Sequence, residues 1–400
     1  MVKELMAGNK ATAYGAMLAR AQVVAAYPIT PQTTIVERIA DLISEGKWDA
    51  KFVKVESEHS AMAATVAASN TGARAFTATS AHGLALMHEI LMWAAGARTP
   101  CVLVNVNRAM APPWSVYADH QDAMAERDTG VIQLWCENNQ EILDTVIMAY
   151  KVAENRDILL PAMINQDAFF LSHTNEPVDI PDQEMVDGFL PPFETEVKLD
   201  VDNPKGFGSF IMPPQYMEFR GHMARSMDRA RDVIRKVDRE WSELTGRSYG
   251  GMMDMYRCED AEFILFGAGT MMSTSKDAVD EMRKEGHKVG VARLRVFRPF
   301  PFEEVRYLAD RAHAIGVLDR TYTFGMGGPL YNETNGQLYN YKNRPVTKNY
   351  IVGVGGRDVR VKHIKGIFKD LMNVEKNGYD HEGEIHWWGL LDGSTPEVEK

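Results

Sequence analysis

Short apolar runs alternate with helix-spaced stretches along the first half of the chain, and that alternation leaves few folds open. Residues 22–26, 52–55, 75–79, 101–106 and 159–165 are short, apolar and partly β-branched, which predicts buried strands. Between them, 33–44, 58–69, 84–97 and 140–153 space their apolar residues as helices do. Strand and helix in alternation imply a parallel sheet with helices on both faces, because each crossover must return over the sheet.

The pattern breaks after residue 181, where Pro191-Pro192, Pro204, Gly206, Gly208 and Pro213-Pro214 mark a long crossing segment. Residues 225–244 then read as a charged, exposed helix. A second alternation follows, with strands expected at 262–266, 288–294, 314–318 and 350–354 and helices at 274–285, 303–309, 329–341 and 361–372. The expected organisation is a first α/β domain over 1–190, a crossing linker with its helix over 191–258, a smaller α/β domain over 259–373, and a tail over 374–400. That tail is polar and aromatic, and its Trp387-Trp388 pair is expected to face a partner.

Composition narrows the function classes. A formal net charge of -11 argues against a nucleic-acid surface, which needs clustered Lys and Arg. No apolar run reaches the roughly 20 residues that span a bilayer. The first ten residues lack the apolar core of a signal peptide, so the cytoplasm is the expected location. Three cysteines, Cys101, Cys136 and Cys258, lie far apart and form no C-x-x-C pair. They fall short of the four thiolates of an ordinary iron-sulfur cluster, so any such centre belongs to a partner chain. No metal site is expected here. The 23 methionines read as packing residues.

Ligands of parallel α/β sheets collect at the carboxyl ends of the strands. Three segments fall there: Tyr27-Pro28-Ile29-Thr30-Pro31, Glu56-Ser57-Glu58-His59, and Asn105-Val106-Asn107-Arg108. Together they offer a hydroxyl, a carboxylate and a guanidinium at one edge. Arg108 suits a substrate carboxylate through its bidentate fork, and Thr30 can add a hydrogen bond.

With Thr79-Ser80-Ala81-His82-Gly83-Leu84, Asn107-Arg108-Ala109, Asp119-His120-Gln121-Asp122 and Arg127-Asp128-Thr129-Gly130, these segments occur in the order seen in a known family. The chain resembles alpha subunits of the pyruvate:ferredoxin oxidoreductases. Gly267-Ala268-Gly269-Thr270 and Arg295-Val296-Phe297-Arg298-Pro299-Phe300-Pro301 extend the resemblance into the second domain, so that it covers about residues 8–372.

The resemblance implies a pyrimidine-binding domain of a thiamin diphosphate enzyme followed by a smaller transketolase C-terminal-like domain. Glu58 falls on the glutamate that hydrogen-bonds N1′ of the aminopyrimidine, and Pro28 and Ile29 fall beside the cofactor. Thr30 and Arg108 fall on the residues that hold the 2-oxoacid carboxylate. The implied reaction is reversible oxidative decarboxylation of pyruvate with coenzyme A, giving acetyl-CoA and carbon dioxide and reducing ferredoxin.

The chain has no Gly-Asp-Gly with a downstream Asn, the pattern that holds magnesium and pyrophosphate. The resemblance places that half of the site on a beta subunit, and the 4Fe-4S clusters on partner subunits of gamma and delta type. Where much of the pyruvate group has Ser-Ser-Gln-Gly, this sequence has Ser80-Ala81-His82-Gly83. Other readings stay open: a branched-chain 2-oxoacid or oxalate enzyme, a non-catalytic scaffold subunit, and a Rossmann-type oxidoreductase. The last is disfavoured because Met272 stands where a dinucleotide fingerprint needs its third glycine.

Each candidate also has a plainer role. Glu58 could be a helix N-terminal carboxylate and Thr30 a helix cap. Arg108 could be a strand-end ion-pair partner. Asp119, His120 and Asp122 fit a loop network better than a metal site, since no further ligand is spaced to close one.

Overall fold

The computed structural model describes residues 2–377 and 385–391. The chain enters as β1 (Val2–Ala7) and α1 (Gly8–Leu18), then alternates through β2 (Val23–Ala26), α2 (Thr33–Ser44), β3 (Lys51–Lys54), α3 (Glu58–Asn70), β4 (Ala75–Thr79), α4 (His82–Gly96) and β5 (Val102–Asn107). It continues with α5 (Gln121–Ala125), β6 (Ile132–Trp135), α6 (Asn139–Ala153), β7 (Ala162–Asp167), β8 (Asn175–Ile180), α7 (Gln183–Phe189) and the 33-residue α8 (Pro213–Thr245). The second domain runs β9 (Met253–Tyr256), β10 (Phe263–Gly267), α9 (Met271–Lys284), β11 (Val289–Leu294), β12 (Val296–Arg298), α10 (Phe302–Ala309), β13 (Ala314–Asp319), α11 (Pro329–Leu338), β14 (Val346–Val352), α12 (Val361–Asn377) and β15 (Ile385–Trp388).

The first sheet has the order β12-β6-β7-β5-β4-β2-β3, and every pair in it is parallel except β12 against β6. Side chains alternate across it as a pleat requires: Val102, Val104 and Val106 join the core under α1, α2, α6 and α8, whereas Leu103 joins the core under α3, α4 and α5. The sheet is therefore buried on both faces, which is why its strands read as apolar runs. β1 and β8 pair antiparallel as a separate ribbon.

The second sheet has the order β15-β14-β13-β10-β11-β9 and is parallel except at β9. One of its faces shares a core with α3, α4 and α5, and the other packs under α9 and α12. The two domains thus share one apolar layer.

Two expectations need correction. α8 starts at Pro213 and is exposed along one side only: Met223, Ser226, Ala230, Ile234, Val237 and Trp241 are buried, at the three-and-four spacing of a helix laid on a surface. Charge on the outer face masked that stripe. Trp388 does not face outward either. β15 extends the second sheet, Trp388 packs into its core, and Trp387 lies 5.1 Å from the Tyr322 ring. The rest of the expected docking tail, 378–384 and 392–400, lies outside the described residues.

Candidate active site

Four adjacent parallel strands, β5-β4-β2-β3, deliver their following residues to one edge of the first sheet. β3 leads into Glu58, the first residue of α3. Ser57 caps that helix by accepting from the Ser60 backbone N–H at 3.2 Å, so the helix start is fixed without using Glu58. Glu58 as a residue is 6% exposed, and among the described residues no donor of this chain is hydrogen-bonded to its carboxyl. Gly83 lies directly over it, and a Cβ there would stand 2.8 Å from Glu58 Oε1 and 2.4 Å from Thr79 Oγ1. Glycine is what leaves this carboxylate its space.

β2 ends in the Tyr27–Pro31 turn. Buried Gln32 holds it by accepting from the Ile29 N–H at 3.3 Å and donating to the Ala78 carbonyl at 2.7 Å. Asn9 donates to the Pro31 carbonyl at 2.7 Å. Pro28 and Thr30 stay exposed and Ile29 half-buried, so this turn presents a surface to a ligand.

Arg108 ends β5 and reaches across β4 to donate from Nη1 to the Thr30 carbonyl at 2.6 Å. Thr30 and Arg108 are therefore in contact. The residue is 4% exposed and its buried Nε has no partner. Burial pulls its pKa down, and nearby Asp122 partly opposes this. Among the described residues no carboxylate forms an ion pair with this guanidinium. A buried cation with free donors is a ready anion site.

Asp122 organises this edge. It accepts from the N–H groups of Ala81 at 3.0 Å, Arg108 at 3.1 Å and Ala123 at 2.7 Å, and from Asn107 Nδ2 at 3.1 Å. Burial pushes its carboxyl up to about 6 in spite of those donors. Ala81 sits at φ 46°, a left-handed position that costs a β-carbon residue on the order of 1–3 kcal/mol. Its bond to Asp122 helps to hold the turn that aims α4 at the site.

Asp119 and His120 have structural partners as well. Asp119 accepts from the Gln121 and Gly355 N–H groups at 2.9 and 3.3 Å, and His120 Nε2 lies 2.8 Å from Asp167 Oδ1. Among the described residues no three His, Cys, Asp or Glu side chains gather as a metal site.

Asp167, at the end of β7, escaped the sequence reading, which ended that strand at residue 165. It accepts from Thr270 N at 2.9 Å and Thr270 Oγ1 at 2.5 Å, with Arg320 Nη1 at 3.6 Å. Burial works to raise its pKa, but Arg320, His120 and these hydrogen bonds together hold it well below the usual carboxylate range. The Gly267-Ala268-Gly269-Thr270 turn is thus docked on the first domain. Asp167's place at a strand's carboxyl end was the signal available beforehand.

The family described as pyruvate flavodoxin/ferredoxin oxidoreductase, thiamine diphosphate-binding, matches residues 14–239, and the pyruvate:ferredoxin oxidoreductase core domain II matches 261–364. The chain is 52% identical over 390 residues to the ketoisovalerate oxidoreductase subunit VorA of Pyrococcus horikoshii, covering 97% of this chain and 98% of that one. It is 46% identical over 394 residues to the pyruvate synthase subunit PorA of Methanothermobacter thermautotrophicus, covering 98% and 100%.

Among solved structures it is similar to a 2-oxoglutarate:ferredoxin oxidoreductase from Magnetococcus marinus with 2-oxoglutarate, coenzyme A and succinyl-CoA bound. The TM-score is 0.71 at 18% identity, over 92% of this chain and 65% of that one, so this chain spans just under two thirds of that length. A split-gene transketolase matches with TM-score 0.51 at 12% identity, over 91% of this chain and 98% of that one. These two likenesses show the fold, and together with the two family matches they bear out a thiamin diphosphate-binding domain followed by a transketolase C-terminal-like one.

Proposed function

The chain belongs to the pyruvate flavodoxin/ferredoxin oxidoreductase family, and from that premise we propose that Glu58, Thr30 and Arg108 form its half of a thiamin diphosphate site completed by a beta-type subunit. The observation that carries this reading is the pairing, on one sheet edge, of a buried carboxylate without a donor and a buried guanidinium without an anion. Each lacks the partner that an aminopyrimidine and a 2-oxoacid would supply.

Thiamin diphosphate, when bound, supplies the electron sink for decarboxylation. The chain's own residues orient and exchange protons. Glu58 would accept a hydrogen bond from N1′ of the aminopyrimidine, its carboxylate placed at the start of α3 beside Gly83. Pro28 and Ile29 present the turn against which the ring lies. Arg108 receives the substrate carboxylate on its free donors, and Thr30 adds its hydroxyl from the adjoining turn. Magnesium, the 4Fe-4S clusters and the ferredoxin contact fall to beta-, gamma- and delta-type subunits. Coenzyme A is the acyl acceptor, and the assembly works in the cytoplasm; no described helix is long and apolar enough to cross a membrane.

Pyruvate is the substrate on the first reading, giving acetyl-CoA and carbon dioxide. A second reading, a branched-chain 2-oxoacid, is favoured by the higher identity to the ketoisovalerate subunits, 51–52% against 43–47% for the pyruvate synthase subunits.

The deciding experiment is Glu58→Gln, which keeps size and hydrogen bonding but removes the acid-base couple. Turnover of the assembled complex should fall by about 10²–10⁴-fold, with cofactor affinity changed much less. Hydrogen-deuterium exchange at C2 of the bound cofactor, followed without substrate, should slow in step. Equal exchange in mutant and parent would reduce Glu58 to a helix-start carboxylate.

A further inference from the structure

Arg108 lies in contact with a second feature that the reaction as described does not use. Its guanidinium is 5.9 Å from the centre of the Trp114 ring, and Trp114 is 76% exposed although it stands beside one of the most buried polar groups of the site. The loop that carries it is held at both ends. On one side His82 Nε2 lies 3.1 Å from the Ala111 amide nitrogen and 3.2 Å from the Ala111 carbonyl oxygen, and the His82 ring lies 5.6 Å from that of Trp114. His82 Nδ1 is buried without a partner. On the other side Ser115 Oγ donates to the Gly355 carbonyl at 3.3 Å, and the Tyr117 ring lies 4.9 Å from Phe169. Trp114 is thus an open indole on an anchored loop.

We propose that Trp114 is the wall that receives the side chain of the 2-oxoacid, with His82 as the positioning residue that braces it, and that this pair makes the site prefer a branched aliphatic 2-oxoacid to pyruvate. The proposal rests on the reading of Arg108 as the carboxylate anchor. A substrate anchored there has its third carbon only one bond from the keto carbon, within reach of the indole beside the guanidinium. A methyl group leaves most of that apolar face in water. An isopropyl group covers it, and two further methylene equivalents moved from water onto an apolar wall favour the larger acid by about tenfold. His82 contributes by geometry: its imidazole fixes the Ala111 peptide and so the angle at which the indole meets Arg108.

The test uses the assembled complex and the ratio of kcat/KM for 3-methyl-2-oxobutanoate to that for pyruvate. The parent should show a ratio near ten, Trp114→Ala a ratio near one, and Trp114→Phe a value between them. His82→Ala should raise KM for both acids more than it lowers kcat. His82→Gln, whose amide can still accept from the Ala111 N–H, should restore most of the loss. An unchanged ratio in Trp114→Ala, or a parent ratio below one, overturns the wall. If His82→Gln were no better than His82→Ala, the brace would be withdrawn. Arg108→Lys run alongside separates the two levels: a raised KM there with an unmoved Trp114→Ala ratio sinks the wall alone, whereas an unmoved KM in Arg108→Lys sinks the anchor beneath it.

Discussion

An arginine that is 4% exposed and donates to a single carbonyl is costly to keep, since burial disfavours its charge and no carboxylate answers it. The fold fixes its backbone through Asp122, which accepts from the Arg108 N–H at 3.1 Å. Arg108→Lys tests what the fork is for. A point-charge ammonium cannot reproduce bidentate geometry, so we expect kcat/KM for the 2-oxoacid to fall by about 10²-fold, a loss on the order of 3 kcal/mol, while the complex still assembles. Unchanged steady-state kinetics would make Arg108 a structural residue. At this scale the sequence singled out Glu58, Thr30 and Arg108 because each lies within a few residues of the carboxyl end of a strand, and the structure brings Thr30 and Arg108 into contact. The sequence did not expose the hydrogen bond from Arg108 to the Thr30 carbonyl, which crosses β4, nor Gly83's place over Glu58. Both depend on which strands are neighbours, and that order, β5-β4-β2-β3, is not written in local periodicity.

Elements that bury an apolar stripe against their own sequence neighbours were legible almost to the residue: α2 spans the expected 33–44 and β4 the expected 75–79. Those defined by distant pairing were not. β12 is three residues long and joins the edge of the first sheet from within the second domain, so no period could reveal it. β1 is stabilised by β8, more than 160 residues later, and its own pattern is mixed. Just before α11, Gly328 admits the side chain of Asp319, where a Cβ would lie 1.9 Å from Oδ2. Asp319 there accepts from the N–H groups of Leu330 at 2.9 Å and Tyr331 at 3.1 Å, closing the start of α11. Burial pushes its carboxyl up to about 7 despite those donors and Asn349. A carboxyl whose folded pKa is raised adds stability that is fully present below the unfolded value near 4 and is lost as pH climbs through about 7. Asp319→Asn should therefore flatten the decline in urea stability between pH 4 and pH 8, by on the order of 3 kcal/mol relative to the parent. Parallel pH profiles for the two proteins would show that this carboxyl does not titrate in that window.

At the scale of the whole molecule, the domains are locked by charge as well as by their shared apolar layer. Glu141 of α6 is fully buried between Arg293 and Arg295 of the second domain, at 3.0 and 3.2 Å, and Asp167 grips Thr270 a short way along the same joint. Removing one partner of such a set leaves a buried charge unanswered, so separating the two domains at this joint is costly. On the proposed reading, the site edge of the first sheet presents half of a cofactor site. Glu58, Pro28 and Ile29 can meet an aminopyrimidine, but the sequence lacks the Gly-Asp-Gly and downstream Asn that would hold a metal and a pyrophosphate. Most of the binding energy for a charged pyrophosphate comes from metal coordination and charge-assisted hydrogen bonds, and one hydrogen bond between the Glu58 carboxylate and N1′ contributes only about 1.5–3 kcal/mol net. The isolated chain should accordingly bind thiamin diphosphate no tighter than about millimolar, and magnesium should change that little. Mixing with the beta-type subunit should bring affinity into the micromolar range or below, now with a strict magnesium requirement. Titration calorimetry on the chain alone and on the reconstituted pair measures both. Tight, magnesium-dependent binding by the isolated chain would mean that this molecule carries the pyrophosphate site itself, and the division of the active site between two subunits would have to be abandoned.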